Sequence, residues 1–83
     1  MSVKAVVEVL ARALADRPDD VRVVESQHKG TTLVELYVAP GDAGKMIGRQ
    51  GRTVAALRTL ASTAGEREGK TVTLEIRDTP YKG

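Results

Sequence analysis

Residues 47–52 read Ile47-Gly48-Arg49-Gln50-Gly51-Arg52. Two glycines three positions apart bracket two long polar side chains, and a further base follows. These residue types at this spacing suit an anion with an extended charged backbone. Glycine lacks Cβ, so a phosphate chain can come within hydrogen-bond reach of the loop's main chain. A helix starting just after the loop turns its free N–H groups and positive dipole end toward the same place. Arg49 and Arg52 add full charges, and Gln50 adds a side-chain donor. With Lys45 one turn upstream, the candidate contact set is Lys45, Ile47, Gly48, Arg49, Gln50, Gly51 and Arg52.

A lone G-x-x-G is a weak signal, because glycines also serve as plain breakers between helices. Two features weigh against that reading here. Gly44, Gly48 and Gly51 fall within eight positions, more than a tight turn needs, and each costs entropy relative to alanine. The turn is also filled by Arg49 and Gln50 rather than by small capping residues. Other chemistries are excluded by spacing. Gly44-Lys45 is followed by Met46, where a nucleotide-binding P-loop needs Ser or Thr, and Ala39 stands where that motif needs Gly. No G-x-G-x-x-G follows a strand-like run. His28 is the only histidine and has no acid or cysteine at ligand spacing, so neither metal binding nor catalysis is expected. No enzyme activity, metal or cofactor is predicted.

The elements that must hold this loop can be read from periodicity. Val3, Val6, Val7, Leu10, Ala11 and Leu14 recur at spacings of three and four and predict a helix, with Ser2 as its cap and Arg17-Pro18 as its stop. Val21 to Gln27 is rich in β-branched residues and predicts a strand. His28-Lys29-Gly30 predicts a turn into a second strand, Thr32 to Ala39, with Val34, Leu36 and Val38 on one face. Pro40-Gly41 ends that strand, and Asp42 predicts the N-cap of a short helix over Ala43 to Ile47. After the loop, a longer helix is predicted from Arg52 to Ala64, with Gly65 as its C-cap. Thr71 to Arg77 predicts the last strand. The order α-β-β-α-α-β predicts an α+β sandwich of two layers, a three-stranded sheet covered by three helices.

Composition bounds the class. Eighty-three residues suffice for one domain, expected over 1–83 with an ordered core over about residues 2–77 and a frayed tail over 78–83. Cysteine is absent, which removes disulfide and thiolate-zinc scaffolds and points to the cytoplasm. Lys4, Glu8 and Arg12 interrupt the N-terminal apolar residues, so neither a secretion signal nor a membrane helix is expected. The net charge of +2 says little by itself. Between Asp42 and Arg58, however, four bases oppose one acid, a local +3 that leaves −1 for the remainder. Such a patch is a plausible phosphate footprint, although a solvated helix face would look the same. Two tyrosines and no Phe or Trp argue against binding by aromatic stacking.

Residues 42–53, from Asp42 to Thr53, resemble the I-G-x-x-G signature of KH domains with its surrounding helices. The element order matches the type II, bacterial arrangement, and the chain resembles the small single-domain KH proteins of the KhpA/YlqC family. The resemblance spans nearly the full length and is sharpest from Val38 to Leu57. It implies single-stranded RNA binding through the G-x-x-G loop, which in KH domains clamps the backbone of about four nucleotides. It implies a role as RNA chaperone or post-transcriptional regulator. It implies a groove floored by Ile47, Val54 and Leu57, with main-chain groups near Val34 to Val38 bonding base edges. Ile47 and Leu57 suit a plain core equally well. It also implies partners: the chain itself, or a second KH-containing protein of the KhpB or Jag type. The alternative function is a protein-interaction module that keeps the KH shape without RNA. Degenerate members show a spoiled G-x-x-G, whereas this loop is intact and basic.

Overall fold

The structure, a computed structural model, describes residues 2–78. Helix α1 (Val3–Leu14) begins as expected, with the Ser2 Oγ accepting the Ala5 N–H at 3.1 Å. A single 3₁₀ turn at Pro18–Asp20 leads to β1 (Arg22–His28). Lys29 and Gly30 both take positive φ, 51° and 81°, so a two-residue turn joins β1 to β2 (Thr31–Tyr37). Then come α2 (Pro40–Ile47), α3 (Arg52–Arg67) and β3 (Thr71–Arg77). The expected tail over 78–83 lies outside the described residues beyond Asp78.

The sheet order is β1-β2-β3, with β1 antiparallel and β3 parallel to the central β2. Parallel pairing needs a long crossover, and α2 with α3 supplies it. The helices cover one face only. Val34 and Leu36 of β2 are fully buried, as are Val3 and Ala11 of α1, and Leu57, Ala61, Met46 and Leu74 complete the same core. On the other face Leu33, Glu35 and Tyr37 are half-buried, and Arg77 pairs with Glu35 at 3.2 Å. The layers and the inward face of β2 therefore follow the period-two pattern of the sequence.

Two residues depart from expectation. Helix α2 starts at Pro40, whose fixed φ suits a first helical position, with Ala39 as N-cap and no side-chain cap. Asp42 therefore sits inside the first turn, 2% exposed. Its carboxylate accepts the N–H groups of Asp16 at 3.1 Å and Arg17 at 3.0 Å. It caps the chain leaving α1 rather than its own helix. Gly65 likewise does not end α3, which runs on to Arg67. A Cβ there would collide with Val72 Cγ2 and stand 3.1 Å from the Lys70 carbonyl oxygen. The glycine lets α3 press against the start of β3.

Candidate nucleic-acid interface

Gly48 ends α2 with φ 76° and ψ 171°, a conformation reserved for glycine. Its N–H still reaches the Gly44 carbonyl at 2.8 Å. A Cβ on Gly48 would collide with the Thr53 side chain and lie 2.9 Å from the Thr53 main-chain nitrogen. The glycine is thus required twice, by φ and by the close fold-back of the loop on α3. Gln50 (φ 57°) and Gly51 (φ 72°) follow in left-handed conformation, and the Gly51 N–H closes onto the Gly48 carbonyl at 3.1 Å. The chain then enters α3 directly, and no side chain caps that helix start.

The loop side chains stand outward. Arg49, Gln50 and Arg52 are exposed, and Ile47 is 47% exposed. Arg52 Nη2 donates to Gln50 Oε1 at 3.2 Å, which ties the two together across the turn. Among the described residues Arg49, Arg52 and Arg58 have no carboxylate partner, whereas Arg12, Arg17 and Arg77 each have one and Lys70 has two, Glu25 and Glu68. The three arginines of the basic stretch therefore carry surface charge with no carboxylate against it among the described residues.

Lys45 is placed differently. Its Nζ lies 2.6 Å from Asp16 Oδ1, on the side of α2 that faces the end of α1. That hydrogen bond raises the Lys45 pKa above its ordinary value, with the charge of the Asp16 carboxylate adding to it. Beside it, the backbone N–H groups of Arg17 and Asp16 hold the Asp42 carboxyl below the usual aspartate value, and Lys45 adds to the effect. Six of the seven candidate residues thus gather at the loop, while Lys45 is engaged with Asp16.

The groove expected beside the loop also changes. β2 is the central strand, so from Val34 to Tyr37 its main-chain groups bond alternately to β1 and β3 rather than to a ligand, and the Val38 N–H is taken by Arg77. The free edge on this side belongs to β3. The Val38 N–H donates to the Arg77 carbonyl at 3.1 Å, so Arg77 points its main chain at β2. By the two-residue period, Val72, Leu74 and Ile76 point theirs outward. Arg58 of α3 marks that edge, its Nε donating to the Leu74 carbonyl at 3.3 Å. Leu57 is 3% exposed and belongs to the core, while Val54, 8% exposed, lies outside the main cluster. Sequence reasoning counted Arg58 only as charge. Its one available signal was its position six residues after Arg52 in a helix pattern, on the flank away from Leu60.

The family described as KhpA/KhpB, KH domain, matches residues 4–76. The chain belongs to the KhpA/KhpB KH-domain family. Its α-β-β-α-α-β order and mixed sheet are the type II KH fold. Among its relatives, RNA-binding protein KhpA of Aquifex aeolicus (strain VF5) is 45% identical over 75 residues, 90% of this chain and 95% of that protein. RNA-binding protein KhpA of Halalkalibacterium halodurans is 47% identical over 75 residues, 90% of this chain and 99% of that protein. The KhpA of Chlamydia muridarum is 44% identical over 69 residues, 83% and 88% of the two chains. The match to the KhpA/KhpB family covers α1 through β3 and therefore the whole frame around the loop. Among the described residues no helix is long and apolar enough to cross a membrane, and no group of three His, Cys, Asp or Glu could hold a metal ion.

Proposed function

We propose that this chain binds single-stranded RNA at residues 47–52, as an RNA chaperone or post-transcriptional regulator in the cytoplasm, with no catalytic step. The sugar-phosphate chain lies against the loop main chain and the start of α3. The bases pass along the groove between α3 and the outer edge of β3. One observation carries the reading: a glycine-bounded loop opens onto a helix start without a side-chain cap, and Arg49 and Arg52 beside it are exposed with no carboxylate partner among the described residues. Each of those features favours a phosphate over a neutral ligand. Relatives bearing the name RNA-binding protein support it.

The test is Arg49→Asp with Gln50→Asp. Both side chains are exposed and both glycines remain, so the fold is expected to persist. RNA affinity, read by fluorescence anisotropy on a short single-stranded RNA, falls at least tenfold while the melting temperature changes little. Wild-type affinity in the double variant refutes the assignment of the loop.

A second reading concerns self-association or pairing with another KH protein. It is favoured by Val9, Leu14 and Leu60, which are 57%, 43% and 46% exposed on α1 and α3, two helices that pack side by side. A contact surface would cover such side chains where they adjoin. The two readings use different sides of α3 and are compatible.

A further inference from the structure

We infer that Asp16 sets the strength of RNA binding by holding the Lys45 ammonium away from the loop, so that one cation is kept back from the phosphates. The inference rests on the loop assignment above and concerns a positioning residue that lies outside that site.

Its basis is where Lys45 is held. Lys45 lies one helical turn before Arg49, and its flexible stem can carry the ammonium toward a phosphate beside Gly48. Of the four bases between Asp42 and Arg58 it is the one with a carboxylate partner among the described residues. Its Nζ lies 2.6 Å from Asp16 Oδ1, on the side of α2 that faces the end of α1. The acceptor is itself anchored. The Asp16 N–H donates to Asp42 Oδ1 at 3.1 Å, and the Arg17 N–H to Asp42 Oδ2 at 3.0 Å. Asp42 is buried, and its negative charge adds to the attraction on Lys45. The main chain at residue 16 is therefore fixed against α2, and its carboxylate waits within reach of the lysine.

A plain structural role is the competing explanation: the pair would only fasten α2 to the end of α1. The Asp42 hydrogen bonds already join those two elements. The Lys45 and Asp16 side chains are 49% and 68% exposed, where an ion pair contributes little to stability. What the pair does change is the position of one positive charge. A phosphate that draws Lys45 over must leave the Asp16 carboxylate unpaired beside it, and that carboxylate repels the strand. RNA affinity therefore sits below what the whole basic stretch can supply.

The probe is a short oligouridine RNA, titrated by anisotropy at several salt concentrations. The proteins are wild type, Asp16→Asn, Asp16→Glu, Asp19→Asn, Lys45→Met and Asp16→Asn combined with Lys45→Met, each melted alongside. Asp16→Asn keeps the main-chain bonds to Asp42 and releases Lys45. It is expected to bind roughly two- to fivefold more tightly at low salt, the worth of one exposed ion pair. Its slope of log K against log salt is expected to steepen by about 0.7, one further phosphate. Melting temperatures change little. Asp16→Glu keeps a carboxylate in place and binds as wild type does. Asp19→Asn removes the same charge from the same connection and leaves the slope unchanged. With Lys45→Met present, Asp16→Asn brings no gain. Unchanged binding by Asp16→Asn overturns the inference. So does a gain that persists beside Lys45→Met or is matched by Asp19→Asn, since either means general repulsion. A loss in Lys45→Met alone as large as the expected gain also overturns it, because wild type would then already use the lysine. All of these leave the loop assignment standing. Failure of wild type to bind the probe overturns both.

Discussion

Asp42 shows how a residue's role can be set by a contact far along the chain. Its carboxylate takes two main-chain N–H groups from residues 16 and 17, and these hydrogen bonds stabilise the ionised form, which is why its pKa falls below the usual 3.8. A depressed aspartate pKa stabilises the fold above the unfolded value, and that stability fades as pH falls through the folded value. Wild type should therefore hold a constant melting temperature down to about pH 4 and lose stability below it. Asp42→Asn should melt lower than wild type at neutral pH, because its amide presents N–H to N–H, and the gap between the two proteins should narrow in acid. Thermal melts of both across pH 2 to 7, a span set by the aspartate range, check this. A gap that is independent of pH would mean that packing rather than charge supplies the effect. The sequence showed a good N-capping residue after Pro-Gly. It could not show that Pro40 would start the helix and free Asp42 for a partner 25 residues away.

At the scale of elements, the contact of α3 with β3 depends on a missing side chain. Glycine inside a helix normally costs about 1 kcal/mol against alanine. Gly65→Ala should therefore be favourable by propensity, yet its Cβ meets Val72 Cγ2. Overpacking of this kind costs about 1–3 kcal/mol, so the net effect should be destabilising, or a fall of several degrees in melting temperature. Val72→Ala removes the obstructing methyls. In the Val72→Ala background Gly65→Ala should then cost less than it does in wild type, the remaining cost coming from the Lys70 carbonyl, a coupling that a double-mutant cycle measures. Additive losses would show that the two residues do not touch. Position 65 reads as a C-cap by composition, because a breaker and a close-packing glycine are the same letter. The same limit applies to the strands. Alternation identifies Val34, Leu36 and Val38 as inward-facing, but nothing in the alternation of Thr31 to Tyr37 or Thr71 to Arg77 states which strand lies in the middle. Only the pairing of β3 with β2 moves the free main-chain edge from the second strand to the third.

For the whole molecule the question is how many phosphates one chain neutralises. Arg49 and Arg52 have no carboxylate partner among the described residues, and Lys45 is held by Asp16. On a single strand each neutralised phosphate contributes about −0.7 to the slope of log K against log salt. Two contacts give roughly −1.4, and recruitment of Lys45 would bring about −2. Arg52→Ala should make the slope shallower by one contact and weaken binding evenly across sequences. If two chains act together through the exposed Val9, Leu14 and Leu60, the slope doubles at protein concentrations where the pair forms. In that case Leu60→Glu returns it to the single-chain value. Titration at several salt concentrations, beside light scattering for mass, decides the matter. A slope several times steeper in a monomeric Leu60→Glu variant would show a wider basic surface than the loop.

What the sequence determined by itself is local. The G-x-x-G loop, the bases around it, the helix and strand periods and the inward faces follow from residue types within a few positions, since φ restrictions, side-chain period and capping act over that range. The order of elements then allowed few arrangements, and the two-layer fold is the one that buries all the apolar faces. Tertiary structure decided what depends on residues distant in the chain. It set Asp42 against residues 16 and 17, turned Lys45 to Asp16, placed Gly65 under Val72, and laid Arg58 across the Leu74 carbonyl. None of these pairs has a local signature, because each arises from elements packed together from distant parts of the chain: α2 against the end of α1 in the first two, α3 against β3 in the others. Hydrogen bonds and close approaches of that kind exist only once the layers have met.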